Sequence, residues 1–210
     1  MRLLFGGEFS GRCRDAALAL GHDAWSCDLR PSEKPGPHIL GSYFDVDVVR
    51  QHWDGAIFFP DCTYLTVSGA RWTADEEWRQ EAQLSALHHV KAIWKLPIKR
   101  LAIENPVGRL SSLWRTPDQI LQPWMFGEGE TKATCLWIRG FPPLVPTHSQ
   151  RDDLFQQRAP VERLARVHFE PPSPQRKDNR SRTYVGIANA FAHQWFGVLQ
   201  ASLLRSAVST

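Results

Sequence analysis

Two short stretches place chemically able side chains where an apolar run stops. In Gly55-Ala56-Ile57-Phe58-Phe59-Pro60-Asp61-Cys62 the apolar residues read as a buried strand halted by a proline, which puts the Cys62 thiol at the strand's C-terminal end. In Leu101-Ala102-Ile103-Glu104-Asn105-Pro106 a second apolar strand ends on a carboxylate, and Pro106 restricts Asn105 to extended geometry, fixing the direction of Glu104. A thiol so placed is a nucleophile, a redox group or a small core residue, since free cysteine is among the most buried residue types. Glu104 is either an acid-base group or a solvated strand-end charge. Open α/β sheets bind ligands beyond the carboxyl ends of their strands, so both residues fall where a site would form.

The elements around them read as a β-α series. Arg2-Leu3-Leu4-Phe5 is a first strand, Gly6-Gly7-Glu8-Phe9-Ser10-Gly11 a turn, and Arg12 to Leu20 a helix with Cys13, Ala16, Ala17 and Leu20 as its apolar positions. The glycines let backbone approach a ligand, and Ser10 is expected to cap the helix. The turn lacks the spacing of the dinucleotide fingerprint and the lysine of a P-loop. A second strand, Ala24 to Cys27, carries Asp28 at its tip, about 20 positions after the glycines, where an acid binds a ribose hydroxyl in Rossmann-like sites. Asp28 reads equally as a turn residue. Asp45 lies just beyond a third short strand, His38-Ile39-Leu40, where a base-contacting carboxylate would sit. Thr73-Ala74-Asp75-Glu76 opens a long helix by capping-box chemistry, and His88-His89 on it point in different directions, which disfavours a metal pair. Two later strands are expected at 122–126 and 135–138. The stretch 141–178 is rich in proline and charge. Gln175 to Arg182 is the densest basic cluster, either a solvated face or a set of phosphate contacts through Arg176, Lys177, Arg180 and Arg182. Val185 to Leu204 reads as an amphipathic helix packing back on the sheet.

The whole chain of 210 residues fits one α/β domain with a modest appendage: a core over 1–140, a reduced recognition segment over 141–182 and a closing helix over 183–210. Lys+Arg 25 against Asp+Glu 22 gives a net +3, which permits an anionic partner without demanding one. Nine tryptophans suit a protein that grips a flat ligand, although most will be core filling. No stretch approaches the roughly 18 apolar residues of a membrane helix, and the N-terminal apolar run is too short for a signal peptide. A cytoplasmic protein with reduced cysteines is expected; Cys13, Cys27, Cys62 and Cys135 are scattered without zinc-site spacing, so no metal is expected.

With those residues in place, nearly the whole chain resembles the cytosine-C5 DNA methyltransferase family, most closely its short phage- and prophage-associated members. Glu8-Phe9-Ser10-Gly11 is similar to the family's glycine-rich cofactor turn, Asp28 and Asp45 to its ribose and adenine acids, Pro60-Asp61-Cys62 to its Pro-Cys loop and Glu104-Asn105-Pro106 to its Glu-Asn-Val. Phe126 to Thr134 lies where the family carries Phe-Gly-x-Pro-Gln-x-Arg-x-Arg, and Ile187-Ala188-Asn189-Ala190 resembles its closing helix. The resemblance implies a Rossmann-like class I S-adenosylmethionine-dependent fold, with a mixed, mostly parallel sheet and helices on both faces. It also implies DNA, single-stranded or non-specific duplex, as partner in a bacterial host cell. Catalysis falls to Cys62, Glu104 and Asn105. S-adenosylmethionine falls to Glu8, Phe9, Ser10, Gly11, Asp28, Asp45, Pro60 and Asn189, and base or phosphate contact to Lys132 and Thr134. Asp61 stands where the family has proline, and a carboxylate beside a thiol disfavours thiolate formation. The segment between Ile138 and Arg180 is too short for a large target-recognition domain. Two other readings therefore stay open: modification of another pyrimidine substrate, namely a nucleotide or RNA, or with another one-carbon donor, and a non-catalytic nucleic-acid or cofactor binder.

Overall fold

The computed structural model describes residues 1–66, 76–149 and 164–197. Seven strands form one sheet: β1 (Arg2–Gly6), β2 (Asp23–Asp28), β3 (His38–Leu40), β4 (Gly55–Phe58), β5 (Leu101–Pro106), β6 (Gln119–Leu121) and β7 (Thr134–Arg139). Their spatial order is β3-β2-β1-β4-β5-β7-β6. The first five run parallel, and β7 lies antiparallel between β5 and β6. The Rossmann-like α/β class expected from the sequence is the one observed.

The central parallel strands β1, β4 and β5 carry unbroken apolar runs, Leu3-Leu4-Phe5, Ala56-Ile57-Phe58 and Leu101-Ala102-Ile103, because both faces are covered there. Leu3, Phe5, Ile57, Ala102 and Leu136 face helix α1 (Arg12–Leu18) and the closing segment Val185–Phe196. Leu4, Ala56, Phe58, Leu101, Ile103 and Trp137 face the long helix Glu77–Trp94 through Leu87, Val90 and Ile93. Every second residue changes face, so the alternation that separates the two cores also decides which way each strand-end side chain points. Glu104 follows Ala102 onto the α1 face, and Asn105 follows Ile103 onto the other. Strand order reverses beside β1, between β2 on one side and β4 on the other, and that reversal opens a crevice at the carboxyl ends of β1 and β4.

Several boundaries differ from the sequence reading. The strand expected over 122–126 is a 3₁₀ turn, Pro123–Phe126, and the strand lies just before it as β6. Pro123 donates no ladder hydrogen bond and its fixed φ suits the first position of a helical turn. Helix α1 stops at Leu18, and its N-cap is Gly11 at φ 72° rather than Ser10. The basic cluster folds as a short helix, Arg176–Ser181. The closing helix runs Val185–Ala190 and widens into a π-helical turn, Phe191–Phe196. Thr73, Ala74 and Asp75 of the expected capping box, and Val198, Leu199 and Leu203 of the closing helix, lie outside the described residues.

Trp195 anchors that closing turn. Its ring stacks on Phe141 with centroids 4.4 Å apart and on Phe191 at 4.8 Å, while Nε1 donates to the Pro142 carbonyl at 2.8 Å. Replacing it with alanine leaves a cavity and an unpaired carbonyl, so Trp195→Ala is expected to cost about 3–5 kcal/mol in urea unfolding. A loss under about 1 kcal/mol would show that the closing turn does not belong to the cooperative core.

Candidate active site

The turn after β1 is wedged between its neighbours. Gly7 N–H donates to the Cys27 carbonyl at the tip of β2 at 2.7 Å, and Phe59 N–H donates to the Gly6 carbonyl at 2.8 Å. Gly7 adopts φ 76°, and a Cβ there would lie 2.5 Å from the Phe59 carbonyl oxygen, so only glycine lets the turn close against β4. Glu8 follows, 3% exposed. Its Oε1 accepts from Ser10 Oγ at 2.5 Å and from the Arg12 amide, the first of α1, at 2.9 Å. Its Oε2 is buried without a partner. Burial raises Glu8 to a pKa of about 7 against the pull of Ser10, the Arg12 amide and Arg14.

Phe9 is buried, and the Arg30 guanidinium sits 3.7 Å from its ring centroid. Arg30 also pairs with Asp28 at 3.5 Å and with Asp178 at 2.6 Å, so Asp28 already holds a cation. The exposed Asp45 precedes the short helix Val46–Val49 and accepts from the Ser42 amide at 3.0 Å. Both acids lie close enough to Cys27, after its burial, to help push that thiol up to about 12.

On the other side of the crevice the tips of β4 and β5 are tied together. Asn105, 1% exposed, donates from Nδ2 to the Pro60 carbonyl at 3.1 Å. The half-buried Cys62 begins a turn in which its carbonyl accepts from the amides of Leu65 and Thr66. Burial, then Glu104, then Asp61 push the Cys62 thiol up, and Lys132 draws it down. Glu104 is itself raised by burial, opposed by the Lys132 ammonium and a hydrogen bond from Thr134. Cys62, Glu104, Lys132 and Thr134 thus form one electrostatic group. Asp61 turns away to accept from the Thr63 amide at 2.8 Å and from the Thr63 hydroxyl. Burial alone would raise its carboxyl, but those bonds, with Lys177 and Arg30, hold it below the usual range.

The basic cluster is fastened to the protein's own acids and carbonyls. Arg182 meets Glu33 at 2.5 Å, Lys177 approaches Asp61 at 3.9 Å, and the Arg180 carbonyl accepts from Lys132 Nζ. Arg12 Nη1 donates to the Thr183 carbonyl at 2.7 Å. Arg176 lies on the same short helix, half-buried. Asn189 is exposed on the closing helix. In the segment before β7, Glu128 accepts from the Gly186 amide at 2.8 Å and Glu130 pairs with Arg166 at 2.6 Å.

The crevice suits a ligand carrying a positive charge. Glu8 Oε2 is a buried carboxyl oxygen with no partner among the described residues, and Glu8, Ser10 and Gly11 are the residues that could hold a cationic group such as the ammonium of S-adenosylmethionine when Glu8 is ionised. Sequence reasoning missed Arg30, Glu33 and Asp178, which close the crevice, and Arg14. Arg14 is fully buried; it bonds Ser26 and Ser32 hydroxyls at 3.1 and 3.0 Å and the Lys34 and Pro35 carbonyls, which shapes the loop carrying Arg30. Its one visible signal is its place three residues before Ala17 on the buried face of α1.

No family model matches the chain, and no curated protein matches it. Among solved structures, it is similar to a candidate DNA modification methyltransferase encoded within an E. coli prophage, at 12% identity and TM-score 0.41, over 66% of this chain and 46% of that one. It is also similar to the S. pombe Dnmt2 methyltransferase, at 15% identity and TM-score 0.38, over 82% of this chain and 56% of that one. The chain thus spans about half the length of these two proteins. Likeness at this level assigns no activity.

Glu8 also makes stability pH-dependent. Its folded pKa of about 7 lies above the ordinary 4.5, so the fold favours the protonated form. That contribution is complete below the unfolded pKa and is lost as pH rises through about 7, by about 3 kcal/mol in all. Glu8→Gln should flatten this part of the pH profile in chemical denaturation. An unchanged slope would place the titration elsewhere.

Proposed function

We propose that the chain methylates carbon 5 of cytosine in DNA, taking the methyl group from S-adenosylmethionine through a covalent adduct on Cys62. The observation that carries this reading is a thiol and a carboxyl raised by burial at the ends of adjacent parallel strands, tied by the Asn105–Pro60 hydrogen bond. Carbon 5 of cytosine is a poor nucleophile. Addition of the Cys62 thiolate to carbon 6 pushes electron density onto carbon 5, which can then accept an electrophilic methyl group. The addition needs a proton or strong hydrogen bond at ring N3. Glu104, whose burial favours the protonated form, is suited to donate it, and Thr134 and Lys132 can stabilise the carboxylate left behind. Methyl transfer releases S-adenosylhomocysteine; solvent water then takes the carbon-5 proton, the Cys62 thiolate departs from carbon 6, and the N3 proton returns to Glu104, which restores the aromatic ring. The target base has to leave any duplex to reach Cys62, at a cost of a few kcal/mol. S-adenosylmethionine supplies the methyl group; the chain's part is to fix its ammonium at Glu8 and to hold the base.

A second reading keeps the binding and drops the turnover. It is favoured by the raised Cys62 thiol and by the Arg30 guanidinium lying over Phe9. Transfer to RNA or a free nucleotide, or from a different one-carbon donor, uses the same thiol addition and remains a substrate question for the assay.

Incubation with labelled S-adenosylmethionine and DNA, in single- and double-stranded forms, should give labelled DNA. Oligonucleotides carrying 5-fluorocytosine should become covalently attached to the protein, and Cys62→Ala should abolish both signals with cofactor affinity within about twofold. Tight DNA binding with neither signal would leave the non-catalytic reading standing.

The pH profile tests the role given to Asp61. Because Asp61 is one of the charges holding the thiol up, Asp61→Asn should bring Cys62 down and shift the rising limb of the transfer rate toward lower pH. A shift in the opposite direction would mean that Asp61 activates the thiol.

A further inference from the structure

Beyond the nucleophile the chain turns back toward the long helix, and two aromatic rings meet there at the surface. Tyr64 lies two residues after Cys62, within the turn whose amides bond the Cys62 carbonyl. Its own carbonyl accepts from Nε2 of the buried Gln83 at 3.0 Å, and the next carbonyl, of Leu65, accepts from the Arg109 amide at 2.7 Å. The ring is therefore carried on backbone fixed to both the long helix and the segment after β5. Trp78, in the first turn of that helix, stands edge-on to Tyr64 with centroids 6.3 Å apart and an interplanar angle of 86°. Trp78 is 54% exposed. The Arg79 guanidinium, held by Glu76 at 2.6 Å, lies 4.7 Å from the indole centroid. The indole thus carries a fixed cation over its ring and a Tyr64 ring beside it, while more than half of the side chain stays open to solvent.

We propose that the Trp78 indole, braced edge-on by Tyr64, forms a stacking platform for a nucleobase of a single-stranded polynucleotide, next in line to the base presented to Cys62. This rests on the methylation reading and narrows its substrate to an unpaired strand. A flat, partly exposed indole backed by a guanidinium binds any base through its π-face, independent of sequence. A base inside a duplex is already stacked on both sides and gains nothing from it. Arg79 is already paired with Glu76, so what this surface offers is the indole face to a base rather than a free cation to a phosphate.

Fluorescence anisotropy with a short cytosine-containing oligonucleotide, free and annealed to its complement, tests this. Trp78→Ala should lose about tenfold in affinity for the single strand and less than twofold for the duplex. Trp78→Phe should recover most of the loss, and Tyr64→Ala should lose a smaller part. Thermal melting and S-adenosylmethionine binding of each variant serve as folding controls. Unchanged single-strand affinity in Trp78→Ala, equal losses on both forms, or a wild-type preference for duplex would overturn the proposal. Methyl transfer by the wild-type protein is read in parallel: transfer with an indifferent Trp78 sinks the platform alone. A Trp78-dependent single strand that is never methylated sinks the methylation reading and supports the platform as a nucleic-acid contact.

Discussion

Two carboxyl groups, Glu8 and Glu104, are taken out of water at the ends of β1 and β5, on either side of β4, and the surroundings are arranged around the cost of that burial. An ionised carboxylate in such a place is expensive unless donors replace its water, so both groups shift toward the protonated form. Glu8 receives Ser10 and the first amide of α1; Glu104 receives Thr134 and the nearby Lys132. The sheet makes those arrangements possible. Gly7 lets the β1 turn press against Phe59, Asn105 binds the tip of β5 to Pro60, and β7 enters antiparallel so that its first residue, Thr134, pairs with Pro106 beside Glu104. Neither carboxyl can be understood apart from the strand order that delivers its donors.

Much of this was legible in the sequence because it depends on local chemistry. Short apolar runs bounded by turn residues placed six of the seven described strands, and runs stopped by proline located both Cys62 and Glu104. Where the reading failed, the deciding factor lay far along the chain or in a single backbone choice. Residues 122–126 carry the aromatic content of a strand, yet Pro123 starts a helical turn and moves the strand to Gln119–Leu121. The basic run from Arg176 to Arg182 read either as a solvated face or as a set of phosphate contacts; its ties to Glu33 and Asp61, more than a hundred residues earlier, are pairings that no local pattern announces. Arg14 showed only its place on the buried face of α1; apart from the adjacent Asp15, the hydroxyls and carbonyls that satisfy it belong to β2 and the loop beyond. Asn189 was placed by resemblance alone, and the helix carrying it turns that side chain outward.

Asp61 presents a compromise rather than a simple defect. Its carboxylate raises the Cys62 thiol, which works against a nucleophile. Yet its strongest bonds go to Thr63, and these bonds shape the turn that holds Cys62 and Tyr64 in place. A proline would fix the same backbone without the charge. The carboxylate instead organises the turn through hydrogen bonds and gives Lys177 a partner. The two stand 3.9 Å apart with both side chains exposed, so the Thr63 bonds, not the ion pair, are what fix the carboxylate.

Such pairs gather around the helix Arg176–Ser181. Arg30 bridges Asp28 and Asp178 while lying over Phe9, and Arg182 is forked onto Glu33. The acids stand in for the anions that a basic cluster would otherwise attract. Exposed pairs of this kind are each worth little, about 0–1 kcal/mol, because water and salt screen them. What these pairs do together is positional: Arg30 and Arg182 both lie over the Phe9 ring while bound to Asp178 and Glu33, so the loop after β2, the short helix Arg176–Ser181 and the turn after β1 are fastened to one another at a single point.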